Sequence, residues 1–113
     1  MNQQELVWVR LPYSSLTKAK IRPAVIISNN VYNKSHQDVV VCAITPNVKQ
    51  TTYSVLIDQK SLSNGNLPIK SRIKADKVMQ IEKSLILKPF AKLKDEVFDG
   101  LISEIDKLIE RKS

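Results

Sequence analysis

The chain has 113 residues, 42% of them apolar and 26% charged, the make-up of one ordinary globular domain large enough to bury its own core. Its only glycines are Gly65 and Gly100, so no glycine-rich phosphate cradle or dinucleotide turn can be built. The lone cysteine, Cys42, excludes an internal disulfide and a cysteine-based zinc site, and the lone histidine, His36, excludes a paired-histidine metal site.

In chain order, Leu6-Val7-Trp8-Val9-Arg10-Leu11 puts Val7, Val9 and Leu11 on one face and predicts a strand. Residues 12–20 break the alternation and read as a basic loop. Ala24-Val25-Ile26-Ile27 and Val39 to Ile44 are β-branched and apolar on both faces, so strands here are covered on both sides. Between them, Ser28 to Asn33 is turn-rich with room for one helical turn. Tyr53, Val55 and Ile57 alternate in a fourth strand, and Asn64-Gly65-Asn66 is a turn signal. A fifth strand begins at Arg72-Ile73-Lys74-Ala75 and continues over Val78 to Ile81, with a slip of apolar phase at Asp76-Lys77 that predicts a bulge. Ser84 to Lys88 reads as a short closing strand stopped by Pro89. From Leu93 the period changes: Val97, Leu101, Ile105 and Leu108, widened by Phe98, Ile102 and Ile109, form a helical stripe over about 93–111. Asp95 and Glu96 in its first turn and Arg111-Lys112 at its end suit the helix dipole. Gly100 in its interior is costly and suggests a close contact. We therefore expect a single domain over 1–113, mainly β, with a small antiparallel barrel over about 5–90 and a C-terminal helix.

The longest apolar run, Val39 to Ile44, is too short to cross a bilayer, and Met1-Asn2-Gln3-Gln4-Glu5 is polar and not basic. We expect a cytoplasmic protein with a reduced thiol and no membrane association. The net charge is +7, and residues 1–90 hold 13 of the 18 basic residues but 5 of the 11 acidic ones. Such a localised positive field suits a polyanion or an acidic protein, although a solvated basic surface is the ordinary alternative.

Two residues combine polarity with a stiff backbone. Arg22 precedes Pro23, and Thr45 precedes Pro46. Proline fixes its own φ and holds the residue before it extended, so each side chain is aimed from where an apolar strand meets a polar loop. If these strands pair, both open on one rim. The ordinary alternatives are a surface ion pair for Arg22 and a strand-ending β-branched residue for Thr45. Thr17, Lys18, Lys20, Asn47, Lys49, Lys70, Arg72 and Lys74 are candidate contacts to a nucleic-acid backbone, and Asp76 is a candidate acceptor from a base edge or an ordinary partner for a neighbouring lysine. Trp8 and Tyr53 are able to stack bases, with core packing the favoured reading of Trp8. His36 reads as plain surface and Cys42 as a core thiol.

Val7-Trp8-Val9 followed by Pro12-Tyr13 and a polar loop, Arg22-Pro23-Ala24-Val25-Ile26-Ile27-Ser28 with Tyr32-Asn33 behind it, Cys42-Ala43-Ile44-Thr45, and Ala75-Asp76-Lys77-Val78 occur in this order. Together they resemble the MazF/PemK toxins of type II toxin–antitoxin systems, from residue 6 to about 110. The resemblance implies an SH3-like barrel of the CcdB/MazF type, a homodimer, and cleavage of single-stranded RNA without metal or cofactor. It also implies that Arg22 and Thr45 are the catalytic pair. The first loop, Ser14-Ser15-Leu16-Thr17-Lys18-Ala19-Lys20-Ile21, lacks the Gly-Ser-Glu often found in the family, so no carboxylate from it takes part, and the chain is closer to the PemK-like branch. From the charge we expect an acidic antitoxin whose flexible segment lies along the same basic groove. Two alternatives are a gyrase-directed toxin of the same fold, like CcdB, and a non-catalytic nucleic-acid-binding barrel. The first group acts through a Trp-Gly-Ile that the last residues, Glu110-Arg111-Lys112-Ser113, do not supply.

Overall fold

We describe the protein from a computed structural model, which describes residues 1–12 and 19–113. The strands are β1 (Glu5–Pro12), β2 (Ala19–Ile26), β3 (Asp38–Thr45), β4 (Ser54–Ile57), β5 (Leu62–Gly65), β6 (Ser71–Glu82) and β7 (Ile86–Leu93). A short helix, α1 (Asn30–Ser35), precedes β3, and α2 (Asp95–Ile109) closes the chain. The strands form one sheet in the order β4-β6-β3-β2-β1-β7-β5, and every neighbouring pair is antiparallel. Its two edge strands, β4 and β5, are consecutive in the chain. Flat, seven strands would hold those edges roughly 29 Å apart at about 4.8 Å per spacing. The link from Ile57 to Leu62 reaches at most about 17 Å, and a 3₁₀ turn at Gln59–Ser61 shortens it further. The sheet therefore curls into a half-barrel.

Because strand side chains alternate, the sheet buries two apolar faces. Leu6, Val25, Cys42, Ile44, Ile73 and Leu93 form one, and α2 lays Phe98 and Leu101 into it. Val7, Val9, Ala24, Ile26, Val39 and Val41 form the other, with Ile81 and Ile86. This is why Ala24–Ile26 and Val39–Ile44 are apolar at every position. The helical stripe holds through Ile105, but Ile109 is 73% exposed, because the last turn runs past the sheet. The helix stops at Ile109, so Arg111 and Lys112 lie beyond it and Lys107 is the cation of its last turn.

Four elements differ from the sequence reading. The loop expected over 12–20 is shorter, since β1 pairs with β2 as far as Pro12–Ala19. Arg22 consequently lies within β2, opposite Val9, rather than at its entrance. Asn64-Gly65 is no hairpin turn but the end of β5 (Leu62-Ser63-Asn64-Gly65), in which only Leu62 is buried and the exposed remainder is held by pairing with β7. Strand β7 continues through Pro89 to Leu93. At Pro89 only β1 is a neighbour, because β5 pairs no further than Ala91, and the register against β1 shifts beside it. A proline is tolerated at such an edge. The expected helical turn is α1, capped by the Asn29 side chain accepting from the Tyr32 N–H at 2.8 Å.

The two glycines are opposites. Gly65 has φ +80°, and a Cβ there would stand 2.2 Å from the Phe90 carbonyl oxygen and 2.5 Å from the Ala91 Cα. Gly100 has nothing within 4 Å of an added Cβ, so the close contact expected from the sequence is absent. Gly65→Ala is expected to cost at least about 2 kcal/mol, since backbone must move as well as φ. Gly100→Ala is expected to stabilise by up to about 1 kcal/mol through helix propensity. Thermal denaturation of the two variants checks both, and a destabilised Gly100→Ala would contradict this account.

Cys42 is fully buried, and its thiol is pushed up to about 12 by burial first and the Asp76 carboxylate second. The native thiol is thus expected to resist alkylation at pH 8 and to react once the chain is unfolded in guanidinium. Because the folded value lies above the ordinary 9.0, the neutral thiol's contribution to stability is full below pH 9 and is lost as pH rises toward about 12. Native-state labelling at the rate of a free thiol would overturn this.

Candidate functional site

The cleft begins with a missing hydrogen-bond donor. The Ile27 N–H donates to the Val40 carbonyl at 2.8 Å, and the Ile26 carbonyl accepts on the β1 side from the Gln4 N–H at 2.9 Å. Alternation then turns the nitrogens of Val25 and Pro23 toward β3. Proline has no N–H, so in the next rung of the β2–β3 ladder one of the two bonds is lost and only the Pro23 carbonyl can take part. Pairing between these strands stops at Ala24–Ala43. Two residues further along the same register, Arg22 and Thr45 would have faced each other on one side of the sheet. Where the strands part, a cleft of about 670 Å³ opens, and both residues line it.

The opposite bank is made by a bulge. Strand β6 pairs with β3 at Cys42–Val78 and resumes at Ile44–Ile73, so residues 74–77 stand opposite Ala43 alone. Ala75 is buried in the core, while Lys74 and Lys77 line the cleft. Its floor is apolar, formed by Val9, Leu11, Ala24, Val41 and Ala43. Among the described residues that line it, Arg22, Lys49, Lys74 and Lys77 are cationic and none carries a carboxylate. Phosphate is the ligand chemistry that suits an apolar trough rimmed by cations.

The Arg22 side chain is exposed and makes no ion pair or hydrogen bond among the described residues, so its planar set of donors is free to engage an anion. Thr45 Oγ1 accepts from the Asn47 N–H at 3.2 Å. That bond orients the hydroxyl and leaves its own proton to donate into the cleft. Asn47 Oδ1 in turn accepts from the Lys49 N–H at 3.1 Å. These two bonds curl the loop after β3 so that Asn47, Lys49 and Thr51 also line the cleft.

The remaining candidates separate. Lys74 lines the cleft, with its Nζ 3.6 Å from the Asp76 carboxylate and 3.4 Å from Thr51 Oγ1. Asp76 is thus a lysine's partner and does not line the cleft. Arg72 lies outside it too, its Nε donating to the Val48 carbonyl and its Nη1 to Ser54 Oγ, each at 3.1 Å. Lys20 is exposed near the start of β2, and Lys70 is exposed just before β6; neither lines the cleft. Thr17 and Lys18 lie outside the described residues. Trp8 both packs and lines: it is half-buried, stacked on Phe90 with ring centroids 4.7 Å apart, and borders the cleft. Tyr53 packs against the core instead. His36 sits at a separate opening, stacked on Tyr32 at 3.9 Å with Nδ1 2.9 Å from Ser35 Oγ. Lys77 and Thr51 were not anticipated. The phase slip at Asp76-Lys77 was visible, but which lysine a bulge turns toward a cleft depends on the partner strand.

Among the described residues no group of three or more His, Cys, Asp or Glu side chains stands together as a metal site, and no helix is long and apolar enough to cross a membrane. A search of curated proteins found no match. Solved structures share the fold. An endoribonuclease in complex with its cognate antitoxin from a Mycobacterial species superposes with a TM-score of 0.77 at 15% identity, covering 99% of each chain. The Mycobacterium tuberculosis toxin MazF-mt6 gives 0.77 at 18% identity, over 96% of this chain and 99% of that one. A MazE–MazF complex from Deinococcus radiodurans gives 0.81 at 17% identity, over 96% and 95%. At these identities the likeness is one of fold, and the seven antiparallel strands with a C-terminal helix are those of MazF-type structures. Residues 2–109 match the family model of PemK-like, MazF-like toxins, and the chain therefore belongs to that family of type II toxin–antitoxin toxins.

Proposed function

We propose that this toxin is an endoribonuclease that cuts single-stranded RNA without a metal ion, with Arg22 and Thr45 as its catalytic pair. The observation that carries the proposal is that both side chains line one cation-rimmed cleft. In this reaction the ribose 2′-oxygen attacks the adjacent phosphorus. A P–O2′ bond forms, the P–O5′ bond breaks, the 2′-hydroxyl gives up its proton, and the departing 5′-oxygen takes one up. The products are a 2′,3′-cyclic phosphate and a 5′-hydroxyl. Charge builds on the non-bridging oxygens, where a guanidinium binds two oxygens at once and a hydroxyl adds a third hydrogen bond. A guanidinium is a cation with donors and no acceptor, so Arg22 acts through charge and not as a base. Lys49, Lys74 and Lys77 hold flanking phosphates, and positioning supplies part of the rate. The metal's usual task, neutralising phosphoryl charge, falls to these cations.

The same chemistry defines the partner. The two complexed structures named above pair toxin with antitoxin, and the cleft's charge and apolar floor suit an acidic segment with apolar side chains. We propose that such an antitoxin segment competes with RNA for the cleft, that the toxin acts in the cytoplasm, and that it works as a homodimer. RNA displacing the antitoxin less readily as salt rises is the signature of that competition.

With a long unstructured RNA in EDTA, mapping of 5′-hydroxyl ends is expected to show discrete cuts. Arg22→Ala is expected to lower the rate by about a hundredfold or more, and Thr45→Val by about tenfold, with unchanged thermal stability. His36→Ala, at its separate opening, is expected to cut like the wild type. Undiminished cutting by folded Arg22→Ala would reject the assignment, and binding without cutting would favour a non-catalytic barrel.

A further inference from the structure

Arg72 has the charge of a phosphate contact but not the position of one. It lies on β6 where two strands flank it: Thr45, the last residue of β3, pairs with it on one side, and Leu56 of β4 on the other. The chain leaves the sheet after Thr45 and returns at Ser54, and residues 46–52 between them are all exposed. No core packing fixes this loop. Its own bonds from the Asn47 and Lys49 N–H groups each reach two residues back, so they curl it without attaching it to β6. Attachment comes from Arg72. One donor, Nε, reaches the Val48 carbonyl in mid-loop, and another, Nη1, reaches Ser54 Oγ, which itself donates to the Thr51 carbonyl at 2.7 Å. The second attachment, Lys74 Nζ to Thr51 Oγ1, is longer at 3.4 Å and is shared with Asp76.

We propose that Arg72 is a positioning residue for RNA binding, acting through the 46–52 loop: its guanidinium fork holds Asn47, Lys49 and Thr51 in the cleft. This rests on the ribonuclease reading above. The fork is what matters: Nε and Nη1 are separate nitrogens of one rigid plane, each bonded to its own acceptor, whereas the three donors of a lysine all leave one nitrogen on a flexible stem. Arg22 and Thr45 stand on strands, so loss of the fork weakens substrate capture more than the chemical step.

Arg72→Lys and Arg72→Met are the test, with Lys49→Met as a phosphate-contact reference. On the RNA cut by the wild type, both Arg72 variants are expected to raise KM by about tenfold and to leave kcat within about threefold. The dependence of log K on log salt is expected to keep its slope in both, whereas Lys49→Met lowers it by about 0.7. Without RNA, the Asn47 and Lys49 amides are expected to exchange at least about fivefold faster in both Arg72 variants, with thermal unfolding confirming the fold. Wild-type KM in Arg72→Lys together with a reduced salt slope in Arg72→Met would make Arg72 a phosphate contact and overturn the proposal. Unchanged amide exchange in both variants would overturn it even if the chain cut no RNA. A wild type inert on RNA with faster exchange in the variants would reject the ribonuclease reading, and with it RNA as the ligand Arg72 serves.

Discussion

A backbone nitrogen without a hydrogen organises this molecule's working end. Pro23 withholds one donor from the β2–β3 ladder, and two strands that pair through Ala24–Ala43 part just beyond it. Had the ladder continued, Arg22 and Thr45 would be cross-strand neighbours over a filled sheet. Because it stops, they border a trough with an apolar floor. The same ring restricts Arg22 to an extended backbone, so the residue that opens the cleft also aims the guanidinium into it. On the far bank the surplus residues of β6 leave Ala43 uncovered, and Lys74 and Lys77 fill out the cationic rim.

Such an opening is sustainable because the rest of the sheet is closed tightly. Joining its two edge strands by a short link forces the curl, and burying both faces gives the central strands little freedom. The site residues on β2 and β3 thus stand on strands fixed by two cores, whereas those after Thr45 stand on a loop fixed by hydrogen bonds. On the function proposed above, binding and chemistry fall to parts of different stiffness, an arrangement that allows substrate recognition to vary without disturbing Arg22 and Thr45.

Much of this was legible in the order of residues. Val39 to Ile44 and Ala24 to Ile27 announce strands covered twice, the stripe from Val97 to Ile105 announces the helix, and two prolines mark where Arg22 and Thr45 sit. What could not be read depends on partners distant in the chain. Strand β5 has no apolar period, since beyond the buried Leu62 it is held by backbone pairing with β7. Pro89 does not end its strand, because β1 is its one neighbour and the register against β1 shifts beside it. The charge on Arg72 reads as a surface cation until the Val48 carbonyl is found 24 positions away along the chain. Gly100 shows the reverse, a residue whose local cost has no contact to explain it.

The stack of Trp8 on Phe90 has a practical side. Trp8 is the chain's one tryptophan, and it is half-buried at the border of the cleft. Indole emission is sensitive to what replaces water beside the ring, so the molecule carries an unlabelled optical reporter of whether its cleft is filled. Any occupant that reaches the indole, polyanion or acidic peptide, would announce itself as a spectral shift against a background free of other indoles.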